Sequence, residues 1–257
     1  MRMQNLIKTI ATTTLFTVAL AVSATADHHG PAIMKAVENA DRPAADKARD
    51  KGRKPAQVLM FSGVAPGMTV LDVNAGSGYY SEILSHTVGE HGKVYSHNGP
   101  VYWAFMKETL PERYADGRLP NVEHIHNGKE TIELAENSVD VAMAVLSYHD
   151  YFFTHAARPG GGHEDVAAVL TSIKKVLKPG GTFVIVDHVA PEGSGPADFD
   201  RLHRLNPDFV KKQMGEAGFT FIGETDALVN PDDSNDGSPF AEGIQGKTNR
   251  FVYKFTN

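Results

Sequence analysis

Residues 70–84 read VLDVNAGSGYYSEIL. An apolar run ends in an acid, Asp72. A short turn with two glycines, Gly76 and Gly78, comes next, and then a segment that can be helical. A strand turned at once into a helix is the unit of a parallel sheet, because parallel neighbours need a crossover connection. Glycine has no Cβ, so it admits positive φ and lets a ligand approach the backbone. Asn74 tolerates positive φ better than most other residues. The free N–H groups at the start of the following helix suit an anionic group such as a carboxylate. In open parallel sheets, ligands bind at the C-terminal strand ends where the strand order reverses, and the turn after the first strand is the usual place.

The rest of the chain repeats this alternation. A first strand is expected at Thr69–Val73 and a helix at Tyr79–Val88. GKVYSHN reads as the second strand, and VYWAFMKETLPERY as an amphipathic helix with an aromatic side. VEHIHN is the third strand. VDVAMAVLSYHD, apolar along most of its length, is a fourth strand covered on both faces. EDVAAVLTSIKKVLKPGG has helical spacing and is ended by Pro-Gly-Gly. TFVIVDHV is the fifth strand. PDFVKKQMGEAGF is a helix stopped by Gly218, and FTFIGETDALV and NRFVYKFTN form a last pair of strands. The expected fold is α/β, a doubly wound and mostly parallel seven-stranded sheet with an antiparallel C-terminal hairpin. Residues 230–247 are polar and rich in Gly and Pro, as a long surface loop would be.

The amino terminus has another character. Arg2 and Lys8 precede an uncharged run from Ile10 to Val22, and Ala24-Thr25-Ala26 supplies small residues. That order is expected of a secretory signal over residues 1–26, cleaved after Ala26 or after Ala24. The apolar run is shorter than the roughly 20 residues that span a bilayer, so no stable membrane insertion is expected after cleavage. Cleavage after Ala26 would expose Asp27-His28-His29, whose free amine, amides and third-position imidazole suit Cu(II) or Ni(II). Residues 27–56 are polar and Ala-rich, and two short helices are expected there, at 32–39 and 44–51. A single domain then runs over 57–257. The expected location is periplasmic or secreted. The whole chain has 25 Lys and Arg against 31 Asp and Glu, a net charge of −6, and the signal holds two of the basic residues and none of the acids. This acidic balance argues against a nucleic-acid backbone as partner. The absence of cysteine excludes disulfides, thiolate metal sites and a cysteine nucleophile.

VLDVNAGSGYYSEIL, VDVAMAVLSYHD and LKPGGTFVIVDH together, in this order and spacing, resemble the class I S-adenosylmethionine-dependent methyltransferases. The resemblance runs from about Val58 to Phe255. The segments DHVAPEGSG, LHRLNP, LVNPDD and GKTNRFVYKF resemble a bacterial subgroup of exported methyltransferases. The resemblance implies a Rossmann-like fold, S-adenosylmethionine as cofactor and a small-molecule or envelope acceptor. It also implies that Asp72 supports the methionine end of the cofactor while Gly76 and Gly78 line it. The family's first loop glycine is replaced by Asn74. The acid that the family uses to hold the ribose is replaced by Asn98, and the Asp near the adenine amine by Asn127. An amide lacks the charge-assisted strength of a carboxylate.

Groups for chemistry should lie at the ends of the fourth and fifth strands, beside this loop. These ends read Ser147-Tyr148-His149-Asp150 and Asp187-His188. A neutral imidazole oriented by a carboxylate is a suitable base near pH 7. His149 is the expected base or substrate contact, with Asp150 beside it and His188 as a second polar wall. His203 and Arg204 are expected to reach the substrate, with Arg positioned for a carboxylate or phosphate. The two His and two Asp are also ligand types for a divalent ion, but their spacing carries no metal signature and none is expected. Tyr102, Trp103 and Phe105 have the spacing of core packing. One of Tyr79 and Tyr80 is expected to touch the ligand. Two readings follow: methyl transfer to an unidentified acceptor, or a non-catalytic periplasmic protein holding a small ligand or metal on the same fold.

Overall fold

The computed structural model describes residues 29–158 and 160–257. The expected signal segment and most of the Asp27-His28-His29 motif lie outside the described residues. Seven strands form one sheet in the order β3-β2-β1-β4-β5-β7-β6. They are β1 (Thr69–Val73), β2 (Lys93–His97), β3 (Val122–Ile125), β4 (Val139–Val145), β5 (Leu177–His188), β6 (Thr220–Glu224) and β7 (Arg250–Thr256). Neighbours from β3 through β5 run parallel; β7 is antiparallel to both β5 and β6. The last two strands therefore pair as expected, with the final one inserted between β5 and β6. The order reverses between β1 and β4, so the Gly-rich turn and the end of β4 open into the same crevice.

Alternation along the strands divides the core in two. Leu71, Ala144 and Ile185 face one layer, with Val169, Leu170 and Ile173 of α8 (Val166–Val176) and Val210 and Met214 of α10 (Pro207–Glu216). Val70, Met143 and Val184 face the other, with Ile83 and Leu84 of α5 (Tyr79–Val88), Val58 and Leu59 of α4 (Pro55–Ser62) and Ile33 of α1 (Gly30–Val37). Both faces of β4 are thus covered, as its apolar run requires.

The amino-terminal segment contributes to this second layer. It holds α1, which begins two residues before the first expected helix, and α2 (Ala44–Lys47) and α3 (Asp50–Arg53), into which the second expected helix is divided. Buried ion pairs tie it to the sheet layer. Arg113 bonds Asp46 at 2.7 Å and also pairs with Glu82 of α5, which Arg118 engages from the other side. Arg42 grips Asp50 at 2.8 Å, and the Tyr79 hydroxyl donates to the same carboxylate at 2.6 Å. Tyr79 thus faces Asp50 and three guanidinium groups, while Tyr80 is buried in the second core layer.

Three local readings differ from the sequence expectation. The aromatic helix is split into α6 (Pro100–Met106) and α7 (Leu110–Tyr114). Its aromatics do not join the core: Phe105 is 60% exposed, and Tyr102 and Trp103 cover the end of the sheet. The helix before β5 stops at Val176, and the Lys178-Pro-Gly-Gly stretch forms a bulge within β5, between the pairs Val139–Leu177 and Val141–Thr182.

Candidate active site

The loop after β1 is held by its own side chains. Asn74 and Gly76 take positive φ, 51° and 60°. The Asn74 amide donates to Glu130 Oε2 at 3.0 Å, and its carbonyl oxygen accepts from the Gly99 N–H at 2.9 Å. Asn98, fully buried, accepts from the Gly76 N–H at 2.9 Å and donates to the Gly76 carbonyl at 3.0 Å. Both ends of its amide are thereby turned onto the loop rather than outward. Asn127 closes its own turn, accepting from the Lys129 N–H and donating to the Thr131 carbonyl. Asn98 and Asn127, which stand at the positions expected to bind the nucleoside, are each engaged with nearby backbone in this structure.

Asp72 lies under the loop, where it accepts from Ser81 Oγ at 2.7 Å. Burial pushes its carboxyl up to about 7, against the pull of Ser81. Glu130 is also raised to about 7 by burial, with Asn74 and Arg158 opposing. Two aromatic rings rest on the glycines. A Cβ on Gly76 would lie 3.7 Å from the Tyr102 ring, and one on Gly78 would lie 3.0 Å from the Tyr114 hydroxyl. Trp103 stacks on His126 with ring centres 4.4 Å apart. The cradle therefore fits the close approach of a ligand to bare backbone, and aromatic faces are at hand for a nucleobase. A ligand on these glycines must displace Tyr102 or Tyr114.

Beside the loop, β4 ends in a strained residue. Leu146 takes φ of 57°, rare for a branched side chain. The chain then enters a 3-10 turn (His149–Phe152) that brings His149 and Asp150 over the end of β5. His149 Nδ1 is 2.7 Å from Asp187 Oδ1. Asp187 also accepts the backbone N–H groups of His149 and His188. His149 Nε2 lies 3.4 Å from Asp150 Oδ1, and His203 Nδ1 lies 3.7 Å from the same oxygen. The Tyr102 hydroxyl donates to Asp150 Oδ2 at 2.6 Å, so a single side chain links loop and cluster. Burial alone would lower His149, but Asp150 and Asp187 outweigh it and raise it to about 9. The two carboxylates thus favour the protonated form of His149, a proton it must lose to act as a base or as a ligand. Burial would raise Asp150, but His149, His203 and Tyr102 hold it at about 2. His188 is driven well below the usual imidazole value by burial and by His149, and its Nδ1 is 2.7 Å from Thr248 Oγ1.

Of the expected residues, the fold brings His149, Asp150, His188 and His203 together. The His149 ring centre is 5.6 Å from both the His188 and the His203 ring centres. Arg204 is not among them. It is fully buried, pairs with Asp233 at 2.8 and 3.1 Å, and spends further donors on the Gly237 and Val189 carbonyls. It pins the 230–247 loop, with four of its five N–H donors engaged within the protein. Glu130 and Tyr114 were not legible as site residues; each sits in a polar stretch with no motif, and only the fold places them at the loop. A wide cleft of about 800 Å³ lined by Ser85, His86, Lys93, Arg118 and Asn121 lies at the opposite, amino-terminal end of β2 and β3.

The strand order, the loop at the switch point and the polar cluster beside it define the class: an α/β protein with the class I methyltransferase architecture. The comparisons agree. The methyltransferase-domain family matches residues 71–185. The ubiquinone/menaquinone biosynthesis C-methyltransferase UbiE of Shewanella sp. (strain ANA-3) is 27% identical over 134 residues, 52% of this chain and 48% of that one. The chain thus matches about half the length of such curated relatives. A SAM-dependent methyltransferase from Aquifex aeolicus is similar in structure, with a TM-score of 0.57 and 24% identity over 81% of this chain and 97% of the other. A putative sarcosine dimethylglycine methyltransferase from Galdieria sulphuraria gives 0.55 and 17% over 80% and 84%. The chain thus has the fold of the S-adenosylmethionine-dependent methyltransferases and is similar in sequence to their methyltransferase domain over residues 71–185.

Proposed function

We propose that the chain is an exported enzyme that transfers a methyl group from S-adenosylmethionine to a small-molecule acceptor. The observation that carries this reading is the Gly76–Gly78 cradle at the reversal of strand order, within a matched methyltransferase domain. The bound cofactor supplies an electrophilic methyl group on sulfonium sulfur. Asp72, Gly76 and Gly78 would hold its methionine end, and Tyr114 and Trp103 would flank the nucleoside. His149, Asp150, His188 and His203 would line the acceptor side. Holding the acceptor in line with the methyl group can supply much of the rate enhancement. The signal-like residues 1–26 support a periplasmic location. The UbiE relatives, whose name states C-methylation in ubiquinone and menaquinone biosynthesis, make aromatic ring acceptors the first class to screen.

Calorimetric titration of the purified protein with S-adenosylmethionine and S-adenosylhomocysteine tests the reading. Saturable binding is expected, lost in Gly76→Val, because a branched residue at φ of 60° strains the cradle. A folded protein that takes up neither ligand at millimolar concentration would overturn it in favour of a non-catalytic binding protein on the same fold.

A further inference from the structure

We propose that His149, Asp150 and His203 form a binding site for a first-row divalent transition ion such as zinc. Their donor atoms, one from each residue, all lie within 4.8 Å of one another. Ligands about 2.1 Å from a zinc ion stand roughly 3.4 Å apart, and the two nitrogens lie 3.4 and 3.7 Å from Asp150 Oδ1. Closing around an ion thus needs shifts of a few tenths of an ångström along these edges.

Each donor is prepared by a neighbour. His149 Nδ1 is committed to Asp187, which leaves Nε2 to face the cluster. A carboxylate behind a ligating imidazole is the usual means of fixing its tautomer and ring plane. Asp187 is itself fully buried and held by two backbone N–H groups. Tyr102 occupies Asp150 Oδ2, so Oδ1 is the oxygen turned to both histidines. His203 Nδ1 is shielded from solvent and has no hydrogen-bond partner. A buried ring nitrogen without a partner is costly unless something binds it. His203 is fixed by a positive φ of 50° at the end of α9 (Pro196–Leu202) and by Phe153 and Phe240, 4.9 and 5.4 Å from its ring.

Two imidazoles and one carboxylate favour zinc, iron(II) or manganese over magnesium and calcium, which prefer all-oxygen sets. Three protein ligands leave a position open, and the cluster is reachable from solvent, since the Asp150 and His203 side chains are 18% and 21% exposed. On the methyl-transfer reading, and resting on it, that position would take an ionisable oxygen of the acceptor and lower its pKa. The metal site itself stands independently of that reading.

The test uses the full mature protein, stripped with a chelator, dialysed and titrated with zinc by calorimetry, and with cobalt(II) followed by its visible d–d bands. His203→Asn keeps a residue that tolerates positive φ, and Asp150→Asn removes the carboxylate. One ion per cluster is expected in wild type, not displaced by millimolar magnesium, and weakened about 100-fold or more in each variant. S-Adenosylhomocysteine binding by His203→Asn is expected to be unchanged, which separates failure of this site from failure of the cofactor reading. Circular dichroism confirms that the variants are folded. Wild-type protein that takes up no ion, or folded His203→Asn and Asp150→Asn variants that bind it as tightly as wild type, would overturn the proposal.

Discussion

Asn74 stands where the family resemblance implies glycine, and its side chain makes two bonds there, to Glu130 and to the Gly99 N–H. Restoring glycine would relax the backbone at φ of 51° but strand a buried acid and a buried donor. Asn74→Gly is therefore expected to destabilise the protein by about 1–3 kcal/mol in urea unfolding, the cost of unpartnered buried groups. Asp72 makes a prediction about pH. Its carboxyl is raised to about 7 in the folded protein, while an unfolded Asp titrates near 4. Between those values the folded state holds a proton that the unfolded state has lost, so this group's contribution falls as pH rises through the window. The loss is bounded at about 4 kcal/mol by the size of the shift. Asp72→Asn keeps an acceptor for Ser81 and should lose less stability than wild type between pH 5 and 8. Equal slopes of melting temperature against pH in the two proteins would contradict the assignment.

Arg204 is the case where element context overrode residue type. In sequence it is an exposed-looking arginine beside His203. In the fold it fastens the loop after β6 to the strand-end layer through Asp233, which also accepts the Asn249 N–H at 2.7 Å. Removing one partner of a buried pair leaves the other uncompensated, so Arg204→Ala should cost about 3–5 kcal/mol. The loss should appear in thermal melts and as faster proteolysis within 230–247, with cofactor affinity retained in the folded fraction. A variant as stable as wild type would mean that the loop is held by other contacts. The β4 end teaches the complementary lesson. Its apolar run was legible as a strand covered on both faces, but the turn at Leu146 that swings His149 over β5 has no glycine or asparagine to announce it. The same holds for the break between α6 and α7, where continuous helical spacing conceals two helices that deliver Tyr102 and Tyr114 to the loop.

For the molecule as a whole, the proposed cofactor binding would be linked to stability. A ligand that binds only the folded state adds about 2.7 kcal/mol at 100 times its dissociation constant. For a chain of this size that raises the melting temperature by about 5–10 °C. S-Adenosylhomocysteine should give such a shift in wild type and none in Gly76→Val; equal shifts in both would move the ligand away from the cradle. The local pattern of the sequence determined the alternation of strands and helices, the Gly-rich turn and the antiparallel finish. These follow from side-chain periodicity and backbone freedom, which act over a few residues. Only the tertiary structure decided that β7 lies inside β6, that Asn98 turns onto Gly76, that Arg204 is locked in a buried pair, and that His203 joins His149 and Asp150. Those outcomes depend on partners tens of residues away in the chain, where hydrogen bonding and burial, rather than spacing, choose what each polar side chain meets.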